Sequence, residues 1–169
     1  MSSGMPERSR LPACLGAVSS AVQSRPEEPC SDERLSAYRP WLFAAAIYNL
    51  AWGSVNVVFP SLYFDLVGIE PPNYTGIWQV VGMFVLVYAP AYWWAGRYPA
   101  RHRHLVVIGM MGKLFGPIGL VWSVATDDLP AAFGWTIITN DLIWWPAFAL
   151  YLRDAARLCG GWKALLLGD

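Results

Sequence analysis

Residues 96–125 read G-R-Y-P-A-R-H-R-H followed by L-V-V-I-G-M-M-G-K-L-F-G-P-I-G-L-V-W-S-V-A. A basic turn gives way to about twenty apolar residues, interrupted by one charge, Lys113. At 1.5 Å per residue such a run matches a hydrocarbon core about 30 Å thick. Helices are the open-ended elements that satisfy their own backbone groups in lipid. The stretch therefore predicts a membrane-crossing helix over 105–125.

Three more runs of this kind lie at about 41–60, 75–95 and 131–152. The whole chain has 169 residues, 56% hydrophobic and 14% charged, where a soluble domain carries about a quarter charged residues. A soluble chain this short has too little interior to hide so much apolar surface. Short connections force neighbouring helices to run antiparallel. The expectation is an all-α membrane protein, an antiparallel up-down-up-down four-helix transmembrane bundle over 41–152.

Net charge is zero, with 12 Lys and Arg against 12 Asp and Glu, but the two signs are segregated. Arg8, Arg10, Arg25, Arg34 and Arg39 precede the first run. Arg97, Arg101 and Arg103 lie between the second and third, and Arg153, Arg157 and Lys163 follow the fourth. The other two connections carry Asp65, Glu70, Asp127 and Asp128 and neither Lys nor Arg. The positive-inside rule then places both termini in the cytoplasm. Nucleic-acid binding, which needs a contiguous basic face, is not expected.

The tail 1–40 is rich in Ser, Pro, Glu and Arg and is expected to be disordered. Its Leu11–Val22 stretch, broken by Pro12, Gly16, Ser19 and Ser20, makes a poor secretory signal. The tail 153–169 is cytoplasmic or lies on the membrane surface through Trp162 and its leucines. Cys14, Cys30 and Cys159 fit no zinc or redox spacing. Trp41, Trp93, Trp94, Tyr98 and Tyr151 at one boundary, with Tyr63, Trp78, Trp122 and Trp135 at the other, are expected to form aromatic belts.

Two ionisable residues fall inside the apolar runs. Helical rise sets Lys113 about 12 Å and Asp141 about 16 Å from the inner ends of their spans. A lone charge at such depth costs about 2.5–3.5 kcal/mol on insertion scales. The difference in depth is within reach of a lysine stem, so the two are expected to pair. The pair either fixes helix register or serves a ligand or proton. Asn49 and Asn56 with Trp52 on the first run, Gln79 on the second, and Asn140 beside Asp141 add polar groups that bond across helices or line a cavity. Trp52, Trp144 and Trp145 lie at depths where an indole N–H needs an acceptor. Rings of this kind around convergent polar groups form pocket walls or simply fill space.

Gly109, Gly112, Gly116 and Gly119 share one face of the third run at steps of three and four. Such a face admits the first or fourth run, or a second copy of the chain as a homo-oligomer. Pro117 cannot donate to the carbonyl four residues earlier, so it frees the Lys113 carbonyl. No catalytic nucleophile with a base and no metal cluster is recognisable, and no cofactor is specified.

At W-x-x-x-G-M (Trp78 to Met83), G-K-L-F-G-P-I-G (Gly112 to Gly119) and N-D-L-I-W-W-P-A-F (Asn140 to Phe148), the chain resembles a family of small bacterial four-span membrane proteins. The N-L-A-W-G…V-F-P stretch from Asn49 to Pro60 is similar too, so the resemblance covers about Tyr48 to Leu152. It implies a multi-pass protein of the bacterial inner membrane. Some of those proteins carry a peroxide-reductase label; that chemistry needs a reactive thiolate, and the four runs contain no cysteine. The tryptophan content is similar to that of TspO-type tryptophan-rich sensory proteins, which bind porphyrins, but those have five spans and other motifs.

The leading expectation is a non-enzymatic protein that binds or moves a small, largely apolar ligand or a proton. Its site would comprise Asn49, Trp52, Asn56, Gln79, Lys113, Asn140, Asp141, Trp144 and Trp145. The alternatives are a membrane enzyme acting on lipid or isoprenoid substrates, and a structural or assembly subunit of a membrane complex.

Overall fold

The computed structural model describes residues 29–167, and these are helical with no strand. The elements are α1 (Pro29–Ser36), α2 (Arg39–Val58), α3 (Leu62–Val67), α4 (Thr75–Arg97), α5 (Arg103–Ala125), α6 (Gly134–Asn140), α7 (Trp145–Leu158) and α8 (Trp162–Leu167). One 3-10 turn, Ala131–Phe133, precedes α6 and another, Leu142–Trp144, joins it to α7. The Leu11–Val22 stretch and Cys14 lie outside the described residues.

Prolines mark the starts and stops. Pro40 sits in the first turn of α2, where a missing N–H costs nothing. Pro60 follows the end of that helix, and Pro99 follows α4. Gly68 closes α3 in the left-handed conformation, φ 72°, that glycine adopts without penalty. The helices α2, α4 and α5 are long and apolar enough to cross a membrane.

The fourth apolar run differs from expectation. It is not one helix over 131–152 but two, broken at Asp141, and the second continues to Leu158. Pro146 supplies the reason. It lacks the N–H that a continuous helix would aim at the Leu142 carbonyl, and it sits at the start of α7, where no donor is needed. Two other expectations change. Pro29–Ser36, taken as the end of a disordered tail, is helical, and Leu35 is buried. The connection at 64–74 begins inside α3, which turns Tyr63 and Phe64 into the interior.

Contacts fix the directions of the helices. Along α2 and α4, Arg39 bonds the Arg97 carbonyl, Phe43 meets Trp93 edge-on at 4.9 Å, and Val57 accepts from Gln79 at 2.8 Å. As numbers rise on one helix they fall on the other, so the two are antiparallel. Their closest approach is at Gly53 and Gly82. A Cβ on Gly53 would stand 2.8 Å from the Gly82 carbonyl oxygen, and one on Gly82 would stand 2.9 Å from Asn56 Cβ. In the same sense α5 runs against α4, with Gly109 on Tyr92 and Gly112 on Tyr88. The segment α7 runs against α2, with Trp144 on Tyr48 and Tyr151 on Tyr38.

These pairings gather the positive charges of Arg39, Arg97, Arg103, Arg153 and Arg157 at one end, the basic end, and leave Asp65, Asp127 and Asp128 at the other. Close packing is concentrated towards the basic end. There Leu42, Ala45, Tyr92, Ala95, Val106, Phe148, Tyr151 and Ala155 form one buried cluster, closed by Leu165 from α8. Tyr151, expected in an aromatic belt, points into this cluster and donates to the Pro99 carbonyl at 2.6 Å. Trp41, Trp93, Trp94, Tyr98, Trp122 and Trp135 are exposed. On α5 no residue beyond Lys113 is buried, and Phe115, Ile118, Val121 and Trp122 present an apolar outer face. In water such a face would be a liability; lipid removes the cost.

Candidate functional site

Sparse packing towards the acidic end leaves a cavity of about 450 Å³ bounded by α2, α4, α5 and α6. Its floor is the charged pair. Lys113 Nζ lies 3.8 Å from Asp141 Oδ1, and both side chains are almost wholly buried. The buried polar side chains of the described residues are Asn49, Asn56, Lys113 and Asp141.

The break in the fourth run explains how the ammonium is held. Where α6 stops, its last carbonyls have no helical donors. Lys113 Nζ donates to the Asn140 carbonyl, and Trp144 Nε1–H donates to the Thr139 carbonyl at 3.2 Å. The negative end of a short helix thus faces a cation, the favourable arrangement. Three rings complete the surroundings, with Tyr92, Trp144 and Phe148 centred 5.9, 6.0 and 5.9 Å from Nζ. Ring faces attract a desolvated cation electrostatically. Asn140 Nδ2 donates to Asp141 Oδ1 at 3.1 Å, so the carboxylate is supported as well.

Trp145 Nε1–H donates to the Lys113 carbonyl at 3.1 Å. This is the acceptor that Pro117 leaves free.

The nine residues singled out in the sequence divide into two groups. Asn49, Trp52, Lys113, Asn140 and Asp141 line the cavity. The other four do not. Asn56 donates to the Trp52 carbonyl at 2.7 Å, beside the close crossing of α2 and α4. Gln79 is spent on the Val57 carbonyl. Trp144 and Trp145 stand behind the ion pair and saturate backbone carbonyls.

The glycine face is used within the chain. Gly109 accommodates the Tyr92 ring, Gly112 the Tyr88 hydroxyl, and Gly116 the Asp141 carboxylate, while Gly119 has open space above it. The helix pair that approaches closely through glycines is α2 with α4, not one involving α5.

Several lining residues went unrecognised in the sequence: Trp78, Val85, Tyr88, Tyr92, Phe133 and Thr136. The sequence expectation for Trp78 is an aromatic belt. The residue belongs instead to a cluster with Trp52, Tyr63, Phe64 and Phe133, whose ring centroids lie 5.2–5.9 Å apart. This cluster roofs the acidic end of the cavity. Two buried polar atoms of the wall, Trp78 Nε1 and Asn140 Oδ1, have no hydrogen-bond partner.

Three helices of membrane-spanning length and composition, α2, α4 and α5, mark an integral membrane protein of helical fold. No family model, no curated protein and no solved structure matches the chain. The functional reading therefore rests on geometry.

Proposed function

We propose that the protein is a multi-pass membrane binding protein whose cavity takes a small, largely apolar molecule with a hydrogen-bonding head. The reading includes four crossings, the broken α6–α7 segment being the fourth, and an antiparallel bundle over 41–152. The basic end and both termini face the cytoplasm, and the membrane is the bacterial inner membrane.

One observation carries the proposal. A chamber of about 450 Å³, within the size range of small-molecule sites, has mostly apolar and aromatic walls and ends on a buried ion pair. A ligand head meets the ion-pair end of the chamber, and aromatic walls cover the apolar remainder. The Lys113–Asp141 pair orients the head, and it holds a proton that can move between ammonium, carboxylate and ligand.

Native mass spectrometry of the full-length protein, released gently from lipid, tests this. A retained small molecule is expected, and it should be lost from Val85→Trp, which fills the chamber, and from Asp141→Asn. A wild-type protein that carries nothing and takes up no added amphiphile overturns the reading.

A further inference from the structure

The chamber is closed towards both ends of the helices. Towards the basic end, Tyr92, Phe148, Ala45 and Val106 belong to a continuous buried cluster. Towards the acidic end, the rings of Trp52, Tyr63, Phe64, Trp78 and Phe133 interlock. Of the lateral seams, that between α4 and α5 carries the exposed lining residues. These helices touch where Tyr88 and Tyr92 meet Gly112 and Gly109. Beyond that contact, Gly116 and Leu120 of α5 line the chamber, the atoms nearest a Cβ at Gly116 belong to Asp141 and Ile137, and a Cβ at Gly119 would meet nothing within 4 Å. Two lining residues are exposed, Val81 at 44% and Phe84 at 67%, and both lie on α4 at this seam. The surface around them on α4 is Ile77, Val80, Met83 and Val87, apolar and exposed. A surface of that character faces acyl chains.

The charge of the chamber is balanced. Lys113 and Asp141 are its ionisable Lys and Asp, and its other lining residues carry no formal charge. A second net charge brought to this depth would lack a partner and would bear the cost of an isolated ion in hydrocarbon.

We propose that the chamber is loaded sideways from the bilayer, through the seam at Val81 and Phe84, and that its ligands are uncharged lipid-soluble amphiphiles. The inference rests on the binding reading above and specifies both the route and the class of ligand. Phe84 stands at the mouth, so bulk attached there obstructs passage without occupying the floor.

The full-length protein, with Cys14, Cys30 and Cys159 replaced by serine, is placed in phosphatidylcholine nanodiscs and offered 4-octylphenol, octanoate or octylamine. Retention is read by native mass spectrometry, and loss of the bound probe to excess empty vesicles is followed over time. Retention of 4-octylphenol at least 10-fold above the two charged probes is expected. Pyrene-maleimide on Phe84→Cys, attached after folding, should slow the loss of 4-octylphenol at least 10-fold. The same label on Leu50→Cys, which is exposed on α2 and does not line the chamber, should leave the rate unchanged.

If none of the probes is retained, the binding reading falls and this inference with it. If octanoate or octylamine is retained as well as 4-octylphenol, the uncharged class is wrong. If 4-octylphenol is retained but leaves the Phe84-labelled protein at the unlabelled rate, the lateral route is wrong while binding stands.

Discussion

The indole N–H of Trp145 donates to the backbone carbonyl of Lys113 at 3.1 Å, replacing the helical donor that proline at position 117 cannot provide. A hydrogen bond between helices therefore completes the backbone of α5 at the turn that carries the buried ammonium. Replacing Trp145 by Phe keeps the ring and removes the donor. The loss should cost about 1–2 kcal/mol, the range of interhelical hydrogen bonds in model membrane peptides. Adding Pro117→Ala returns the helical donor, so the double variant should recover most of that loss. Reversible unfolding in mixed micelles measures the cycle; additive effects of the two changes would show that the carbonyl does not couple them.

The ion pair invites a second cycle. Lys113→Met leaves Asp141 buried without its cation, and truncating one member of a buried pair costs about 3–5 kcal/mol. The double variant Lys113→Met with Asp141→Leu removes both charges and should regain most of the stability while failing to retain a ligand. If the double variant is as unstable as the single one, the pair is not the source of the loss.

Glycine substitutions separate the tight crossing from the open face. Gly53→Ala places a methyl 2.7 Å from Leu86 Cγ and 2.8 Å from the Gly82 carbonyl oxygen. The backbones must part, with an expected loss of about 1–3 kcal/mol. Gly119→Ala meets nothing and should be neutral or stabilise by up to about 1 kcal/mol through helix propensity. Thermal unfolding of the two variants side by side checks this, and equal effects would refute the crossing geometry.

At the basic end, the Tyr38 hydroxyl donates to Asp154 Oδ2 at 2.7 Å. That bond, aided by Arg153 and Arg157, holds the Asp154 carboxyl below its ordinary value, with partial burial opposing. A carboxyl lowered in the folded state stabilises the protein above its unfolded value near 4, and the benefit fades as pH falls through the folded value. Tyr38→Phe should move the carboxyl titration upward and make acid unfolding start from a less stable state. Carboxyl NMR across pH 2–6 reads the shift, and an unmoved titration would remove the hydroxyl as its cause.

Sidedness has its own test. With native cysteines removed, Arg101→Cys and Asp128→Cys should react with a membrane-impermeant maleimide from opposite sides of sealed vesicles. Reaction of both from one side would refute the topology that charge segregation implies.

Much of this was legible in the sequence, and for definite reasons. Depth along a helix is arithmetic, so Lys113 and Asp141 could be paired from their positions alone. Pro117 announced a free carbonyl because its missing donor is a covalent fact. The donor was not legible, since which of several tryptophans reaches that carbonyl depends on helix rotation. The break at Asp141 was missed because apolar content governs insertion and says little about continuity; Pro146 marked where a donor is lacking but not where the helix restarts. Tyr88 and Tyr92 looked like ordinary packing, and their position over Gly112 and Gly109 arises only once α4 and α5 are side by side. Gly53 and Gly82 were each isolated in the sequence, and only the crossing of their helices gives them a shared role.

The segment α6 has no buried residue of its own. Lys113 and Trp144 tether its terminal carbonyls and Phe133 at its start joins the aromatic roof, so it is moored at its ends rather than wedged along its length. Any molecule that draws the ammonium towards itself loosens one of those moorings, and the tilt of this short helix then becomes a readout of what the lysine is holding.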